Sequence, residues 1–259
     1  MTVAQGNSSE GRGPRRRAVA PAGEHVTHVS VLRRPLFLRL SASAAALLIL
    51  IFVGRLVVAA GTVTLYVDAG STCTTGCGTQ TAPYRTIQAA IDDADNRIAV
   101  GAVSGATVQV AAGYYPERLY IVPNVHVIGA GPSATTIDAT GTGRAAVILA
   151  ARTSGRVKTD FSIEGFTITG GIGENRSGVS RVSGGGVFVL GNAVVSNNVI
   201  TGNIMSGPQP NWIGGGVYVG YGDPVIIGNT ITGNVVNPPP AGGSTSSLAI
   251  GAGILFAIG

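Results

Sequence analysis

Charged side chains are scarce in this sequence, and lysine is nearly missing. Charged residues make up 11% of the 259 positions, aromatic residues make up 5%, and Lys158 is the single lysine. Apolar residues nevertheless reach 45%, which argues against a disordered chain. Glycine is abundant instead, with 40 residues and no Gly-X-Y period, so collagen is excluded and a β architecture dense in turns is favoured.

The net charge of +5 is unevenly distributed. Residues 1–60 hold eight arginines against two acids, a balance of +6, whereas residues 61–259 hold eight arginines and Lys158 against ten acids, a balance of −1. All the excess basicity therefore lies in the N-terminal segment that ends at Ala60. The remainder lacks the positive surface that a nucleic-acid backbone requires, so no nucleic-acid partner is expected.

This N-terminal segment predicts export. Residues 1–34 are basic, polar and rich in glycine and proline, which is typical of disorder. Residues 35–60 contain an uncharged run, Leu40–Gly54, which suits the apolar region of a signal peptide and is short for a membrane span. The small residues 58–60 (VAA) that follow Arg55 offer a cleavage site.

Two alternatives remain for this segment. Arg33 and Arg34 resemble a twin-arginine signal. Residues 36–60 could instead form an uncleaved anchor that crosses the membrane as a single N-terminal span, although Arg55 would be a costly intrusion. In each case the positive-inside rule leaves the N-terminus in the cytoplasm. We therefore expect residues 61–259 to be secreted or held at the cell surface.

The two cysteines, Cys73 and Cys77, lie just beyond this segment in a loop rich in threonine and glycine. A structural zinc site needs four ligands, and no further cysteine or cluster of histidines supplies them, so no metal is expected here. An oxidising compartment favours a local disulfide between the two thiols. The alternative is a pair of free thiols.

Two short motifs recur in step along the second half of the chain. The first motif contains Ile-Thr-Gly, with its glycines at positions 170, 202 and 233; the second begins with glycine, at positions 184, 214 and 251. Each repeat is therefore a composite unit. The copies of the first motif are residues 166–170 (FTITG), 198–203 (NVITGN) and 229–234 (NTITGN), and those of the second are residues 184–189 (GGGVFV), 214–219 (GGGVYV) and 251–256 (GAGILF).

The side chains within a unit alternate with a period of two, as in strands: Ile168, Ile200 and Ile231 share one face. No segment beyond Ile98 has a helical apolar period. A coil of three short strands per turn fits this pattern, because stacked turns bury an isoleucine and valine column that one unit cannot bury alone. A β-sandwich or a propeller is the alternative. A propeller blade of roughly 40–45 residues is longer than the spacing between the repeat glycines at positions 170, 202 and 233.

The repeats also predict a column of amides. Asn198 and Asn229 occupy the same position in successive units, so their side chains should stack as a ladder of hydrogen bonds. Phe166 occupies that position in the preceding unit, which places the start of the ladder at Asn198. The chain stops at Gly259 within what resembles a further unit, so we expect additional coils to follow.

These units resemble the repeats of the pectate-lyase-like right-handed parallel β-helix superfamily. Residues 66–68 (YVD), 82–91 (APYRTIQAAI), 107–117 (TVQVAAGYYPE) and 127–131 (VIGAG) are similar to an N-terminal module, a domain of unknown function, that often precedes such repeats. The resemblance covers about residues 63–259 and implies a right-handed parallel β-helix over residues 61–259. It does not imply one activity, because enzymes, adhesins and phage tail proteins share the fold.

A short helix is predicted near the start of this region. Pro83 and Thr86 are helix-start residues, and Ile87, Ala90, Ile91 and Ala94 form one apolar stripe. We expect an amphipathic helix over residues 86–96 that caps the first coil and covers strand edges.

A small polar row is the candidate for catalysis. Lys158, Asp160 and Glu164 should point outward from one strand, together with Ser162 and opposite Phe161 and Ile163. Lyases of the resembled superfamily generally use a lysine or arginine base and an acidic cluster that holds Ca²⁺, and such a site needs several converging carboxylates. The alternative interpretation is that these side chains are simply the solvent-exposed face of a strand.

An aromatic loop is the candidate for binding. Trp212, Tyr218 and Tyr221 lie close in sequence to Asp223, and aromatic faces beside a carboxylate suit sugar recognition. The alternative is local packing of the rings.

From these features we predict an exported surface protein that binds polysaccharide or cell-wall material and lacks an evident active site. No cofactor is expected. The alternative is a polysaccharide lyase or glycoside hydrolase, with Ca²⁺ in the lyase case, whose catalytic coils are missing or lie around Lys158, Asp160 and Glu164.

Overall fold

The protein is described by a computed structural model over residues 60–150, 160–175, 182–205, 211–237 and 248–257. All of them belong to one unit, Val57–Gly259. The predicted segment 1–34, all of 35–60 except Ala60, and Lys158 lie outside the described residues.

Three main sheets contain most of the strands. In spatial order, the first sheet consists of β1 (Thr62–Val67), β2 (Gly105–Val110), β5 (Val125–Gly129), β8 (Phe161–Glu164), β13 (Ala193–Ser196) and β18 (Val225–Ile227). The second consists of β3 (Gly113–Tyr115), β6 (Thr135–Asp138), β9 (Thr167–Thr169), β14 (Val199–Ile200) and β19 (Thr230–Ile231). The third consists of β4 (Leu119–Ile121), β7 (Val147–Ala150), β12 (Val187–Leu190), β17 (Val217–Tyr221) and β22 (Ile254–Phe256).

Two smaller sheets lie between the second and third sheets along the chain. One consists of β10 (Glu174–Asn175), β11 (Val182–Ser183), β16 (Asn211–Ile213) and β21 (Leu248–Ile250), and the other pairs β15 (Ile204–Met205) with β20 (Val235–Val236). Only β10 and β11 pair antiparallel among the described strands. From β2 onward the chain visits the first, second and third sheets in the same order on each pass, and one such pass is called a round below.

The apolar side chains that point inward explain why strands of successive rounds stack on one another. In the first sheet Val108, Val127, Ile163 and Val195 lie in register on successive strands, and each is completely buried. Each such side chain contributes roughly 1.5–3 kcal/mol by leaving water. Because every other residue points inward, no single strand could bury its own apolar side without the strands of the neighbouring rounds.

The predicted isoleucine column is present in the second sheet. Ile168, Ile200 and Ile231 are paired in register on β9, β14 and β19, and Ile137 of β6 extends the column by one round. The residues beside them, such as Thr167, point outward. The predicted alternation is therefore confirmed for these strands.

One helix, α1, spans Ile87–Ala99. Its N-cap is Thr86, whose side chain accepts a hydrogen bond from the backbone N–H of Ala89. The four residues of the predicted stripe are all buried. The helix prediction is confirmed, and the helix runs three residues past the predicted end at residue 96. It packs against β1, β2, β4 and β5, among which β1 and β4 are edge strands of the first and third sheets.

Close contact between rounds explains the glycine-rich motif. Gly186, Gly216 and Gly253 lie in successive rounds, and the N–H of Gly186 donates to the carbonyl of Gly216, whose N–H donates to that of Gly253. A Cβ atom on Gly186 would lie 2.7 Å from the carbonyl oxygen of Gly216 and 2.6 Å from Cγ2 of Ile200. A residue with a side chain therefore cannot replace Gly186 without displacing the backbone.

Cys73 and Cys77 form a disulfide with a Cα–Cα distance of 5.8 Å. The predicted pairing is confirmed, and the alternative of two free thiols is wrong. Taken together, the regular elements of the described residues are strands in mainly parallel sheets and one helix, which confirms the all-β prediction.

Candidate functional site

The predicted polar row lies on β8 of the first sheet. Phe161 and Ile163 are completely buried, whereas Asp160, Ser162 and Glu164 reach the surface. The alternation predicted for this strand is therefore present. Lys158, the proposed base, lies outside the described residues.

His126, on the neighbouring strand β5, joins this row. Its Nδ1 lies 3.0 Å from the hydroxyl oxygen of Ser162, and its Nε2 lies 4.0 Å from a carboxylate oxygen of Asp160. Glu164 accepts a hydrogen bond of 3.0 Å from the side-chain amide of Asn197. The row is thus a set of neighbouring polar contacts along an outer sheet face.

The geometry of this row does not suit a pair of glycosidase carboxylates. Asp160 and Glu164 are four residues apart on one extended segment, a separation of roughly 13 Å at about 3.3 Å per residue. Glycosidase carboxylates are roughly 5–9.5 Å apart. Within the described parts of the chain, no group of three or more histidine, cysteine, aspartate or glutamate side chains is placed to hold a metal ion.

The residues of the predicted aromatic loop differ in how far they are buried. Trp212 and Tyr218 are only 2% and 4% exposed, so neither ring offers a face to a sugar. Their burial favours the alternative of local packing for these two rings. Tyr221 and Asp223 remain at the surface, and the backbone N–H of Asp223 donates to the side chain of Asn192 at 2.8 Å.

Tyr218 is buried although the alternation of its strand places it on the outward side. Tyr218 points away from the main core, but the outward row of the third sheet is itself apolar. The rings of Phe188 and Tyr218 stack with centroids 5.2 Å apart, and Ile148 continues the row on β7. The strands β7 and β12 are buried on both faces.

A surface concavity lies where α1 meets β4. It has a volume of about 430 Å³ and is lined by Gln88, Asp92, Arg118 and Tyr120. We call it the cap pocket. It combines an aromatic ring, a carboxylate, a guanidinium group and an amide on an open surface.

Gln88 fixes the geometry of the cap pocket. Its side-chain oxygen accepts a hydrogen bond of 2.8 Å from the backbone N–H of Tyr120, and its side-chain nitrogen donates to Asp92 at 3.0 Å. Gln88 and Asp92 are four residues apart, so both lie on one face of the helix. The side chain of Gln88 therefore ties α1 to β4 and holds the Asp92 carboxylate at the pocket.

Glu117 provides a second connection behind the pocket. Its two carboxylate oxygens accept hydrogen bonds of 2.8 Å and 2.9 Å from the backbone N–H groups of Ile87 and Gln88. A carboxylate at a helix N-terminus is favourable because the first N–H groups lack partners within the helix. Burial raises the pKa of Glu117, and the two backbone hydrogen bonds oppose that rise.

The exposed groups of the cap pocket can recognise hydroxyl and carboxylate groups. Arg118 offers several N–H donors in a fixed plane, and Asp92 offers acceptor oxygens. Tyr120 adds a partly buried ring. None of these four residues was predicted as a site, because the pocket joins a helix to a strand that is distant in sequence. The only local indication was the polar pair at positions 88 and 92.

The predicted ladder positions are hydrogen-bonded to one another. The side-chain nitrogen of Asn198 donates to the side-chain oxygen of Asn229 at 3.1 Å, and the side-chain oxygen of Asn198 accepts from the N–H of Phe166 at 3.0 Å. A second ladder was missed. Asn203 donates to Asn234 at 2.8 Å and accepts from the N–H of Gly171 at 3.0 Å.

Comparison with known proteins adds no relative: no family model, curated protein or solved structure matches this chain. In the described part of the chain, no helix is long and apolar enough to cross a lipid bilayer.

Proposed function

We propose that this chain is an exported surface protein built on a right-handed parallel β-helix, and that it binds polysaccharide or cell-wall glycan in the cap pocket. The observation that carries this proposal is the composition of the pocket, in which Tyr120 lies beside Asp92, Arg118 and Gln88. Glycan sites combine an aromatic surface with a few placed polar groups, because sugars present both C–H faces and hydroxyl edges.

The fold part of the proposal is supported by the order of the strands. Successive rounds pass through the same three sheets, and the neighbours within those sheets are parallel. Inward isoleucines and two asparagine ladders repeat from round to round, as expected for stacked repeats. A β-helix also leaves its outer faces and its capped end available to a polymer.

The export part is supported by the basic residues 1–39 followed by the apolar run Leu40–Gly54. The Cys73–Cys77 disulfide agrees with an oxidising compartment. A fusion of residues 1–65 to a reporter that is active only outside the cytoplasm should give activity. Retention of the reporter in the cytoplasm would contradict the proposed export of the chain.

The binding part can be tested with the purified full chain on immobilised cell-wall material, galacturonan, alginate and a neutral β-glucan. We expect retention on at least one of these polymers and a loss of about tenfold to a hundredfold in affinity for Arg118→Gln, since one charge-assisted contact contributes about 1.5–3 kcal/mol. Asp92→Asn should also weaken retention.

The matched control is Arg85→Gln, which removes the same charge from an exposed arginine that does not line the pocket. Equal losses for Arg85→Gln and Arg118→Gln would show that net charge, rather than the pocket, causes retention. No retention on any of the four polymers would contradict the proposed function.

A further inference from the structure

The outer face of the first sheet carries a serine, a histidine and an aspartate side by side. Ser162 and His126 are register partners on the neighbouring strands β8 and β5. The hydroxyl oxygen of Ser162 lies 3.0 Å from Nδ1 of His126, and Nε2 of His126 lies 4.0 Å from a carboxylate oxygen of Asp160. A base beside a hydroxyl, itself oriented by a carboxylate, is the set of groups that activates a serine for attack on a carbonyl carbon.

The sheet holds these three residues in place. Both neighbours of Ser162 on β8 are completely buried, so the serine points outward. The parallel pairing of β5 with β8 fixes His126 beside Ser162. Asp160 is anchored as well, because its backbone carbonyl accepts a hydrogen bond of 2.6 Å from the N–H of Asn124. A site built on paired strands is held more precisely than a site built on loops.

His126 can act as the base for Ser162. When the ring carries its proton on Nε2, Nδ1 accepts the proton of the Ser162 hydroxyl. Asp160 favours that tautomer because its carboxylate faces Nε2, and it stabilises the positive charge that the ring gains. The side chains of His126 and Asp160 are 34% and 77% exposed, so a substrate can reach them from solvent.

Apolar side chains continue the same row beyond Ser162. Val194 on β13 is in register with Ser162, and Val225 on β18 is in register with Val194. Val225 is 51% exposed and points away from the core, since its neighbour Ile226 packs inward. Because neighbouring strands are about 4.8 Å apart, a short carbon chain attached to the serine oxygen would lie over these two valines. The valines therefore favour a short aliphatic acyl group.

We propose that Ser162, His126 and Asp160 form a catalytic site that hydrolyses esters of short aliphatic acids. Ser162 and His126 are its catalytic residues, and Asp160 is a positioning residue. In the first step the Ser162 oxygen bonds to the ester carbonyl carbon, its proton passes to His126, and the ester C–O bond breaks as the alcohol leaves with that proton. In the second step His126 takes a proton from water, the water oxygen attacks the acyl-serine, and the acid leaves as the proton returns to Ser162. This activity is separate from glycan binding in the cap pocket.

Labelling with a fluorophosphonate and hydrolysis of p-nitrophenyl butyrate by the purified full chain test the proposal. Fluorophosphonates react with serines that a neighbouring base activates, and mass spectrometry of the peptides should place the adduct on Ser162. Ser162→Ala should lose both labelling and hydrolysis, and His126→Gln should slow both by about a hundredfold or more. The matched control is Ser133→Ala, which removes an exposed serine just before β6 and should leave both rates unchanged.

Two further variants test the positioning residue and the acyl group. Asp160→Asn should lower kcat about tenfold with little change in KM, and Asp160→Glu should restore part of the loss, because the carboxylate acts through the ring of His126. The original chain should prefer the butyrate ester to the acetate ester, and Val225→Asp should abolish that preference.

Three results would overturn the proposal. The first is a chain that is not labelled and hydrolyses the ester no faster than Ser162→Ala. The second is an adduct that forms equally on Ser133, and the third is a rate that His126→Gln leaves unchanged. Circular dichroism of each variant checks that the loss of activity does not come from loss of the fold.

Discussion

The first round of strands and the last round differ in what lies against their outer edges. At the first round, α1 packs against β1 and β4, and Glu117 and Gln88 bind the helix to the neighbouring strand. At the last round, inward residues such as Phe256 are exposed. The comparison separates two sources of stability: contacts between rounds, which repeat, and contacts with the helix, which occur once.

The largest expected effect comes from the close contact between rounds. Gly186→Ala should lower the free energy of unfolding by about 3 kcal/mol or more, because the new Cβ would overlap Ile200 and the backbone of Gly216. The matched change in the last round, Gly253→Ala, meets no atom within 4 Å and should change stability by less than about 0.5 kcal/mol. Urea denaturation of the two variants measures the difference. Similar losses would contradict the role assigned to close packing.

The second asparagine ladder provides the next comparison. Asn203 is completely buried and hydrogen-bonds to the rounds on both sides, whereas Asn234 lies in the last round and is 8% exposed. Asn203→Ala should cost about 2–3 kcal/mol because it leaves buried backbone groups without partners. Asn234→Ala should cost less. If thermal unfolding shows the reverse order, the ladder does not act through burial.

The helix cap should give a smaller and more local effect. Glu117→Ala removes the acceptor of two N–H groups at the start of α1, which should cost about 1–2 kcal/mol. Glu117→Gln keeps one acceptor oxygen and should lose less. Hydrogen exchange should accelerate mainly in Ile87–Ala99 and leave the last round unchanged. Uniform acceleration would indicate global destabilisation rather than loss of a local cap.

The smallest effect concerns pH. Hydrogen bonds from Thr140 and Tyr114 lower the pKa of Asp138 below 3.8, so its contribution to stability is present above that pH and is lost as the pH falls through the lowered pKa. Because the group is near the surface, the contribution is below about 1 kcal/mol. Asp138→Asn should flatten the loss of stability on the acid side in urea titrations from pH 2 to 6. An unchanged acid limb would contradict this assignment.

Glu117 should act in the opposite sense. Burial raises its pKa above 4.5, so its contribution is largest below that pH and decreases as the pH rises through the raised pKa. The same titrations on Glu117→Gln should therefore show less decline above pH 4.5 than the original chain.

The sequence was most informative where the structure repeats. Ile200 and Asn198 could be placed because their equivalents, Ile231 and Asn229, recur in the next unit and must stack to be buried. The stripe of α1 was equally clear, since the period of a helix is local. Asn203 was missed although it lies in the same motif, because the pattern alone does not say which residue of a corner faces inward.

Other features depend on contacts that no local pattern contains. Trp212 is buried in a cluster with Val182 and Met205, and Tyr218 is buried in the outward row of the third sheet, where it stacks on Phe188. A strand that is buried on both faces lacks the polar alternation that indicates an outer side. The cap pocket requires Arg118 and Tyr120 to meet a helix whose register against β4 is set by the side chain of Gln88.

The repeated passage of the chain through the same three sheets also has a mechanical consequence. Among the described strands, each round is joined by sheet pairing to the rounds before and after it, so tension can separate one round without first breaking the others. A released round, at roughly 30 residues, would lengthen the chain by roughly 100 Å. Successive strands of the first sheet begin at residues 105, 125, 161, 193 and 225, so the protein should yield to force in separate steps, of which the one for the round from β2 to β5 is the shortest.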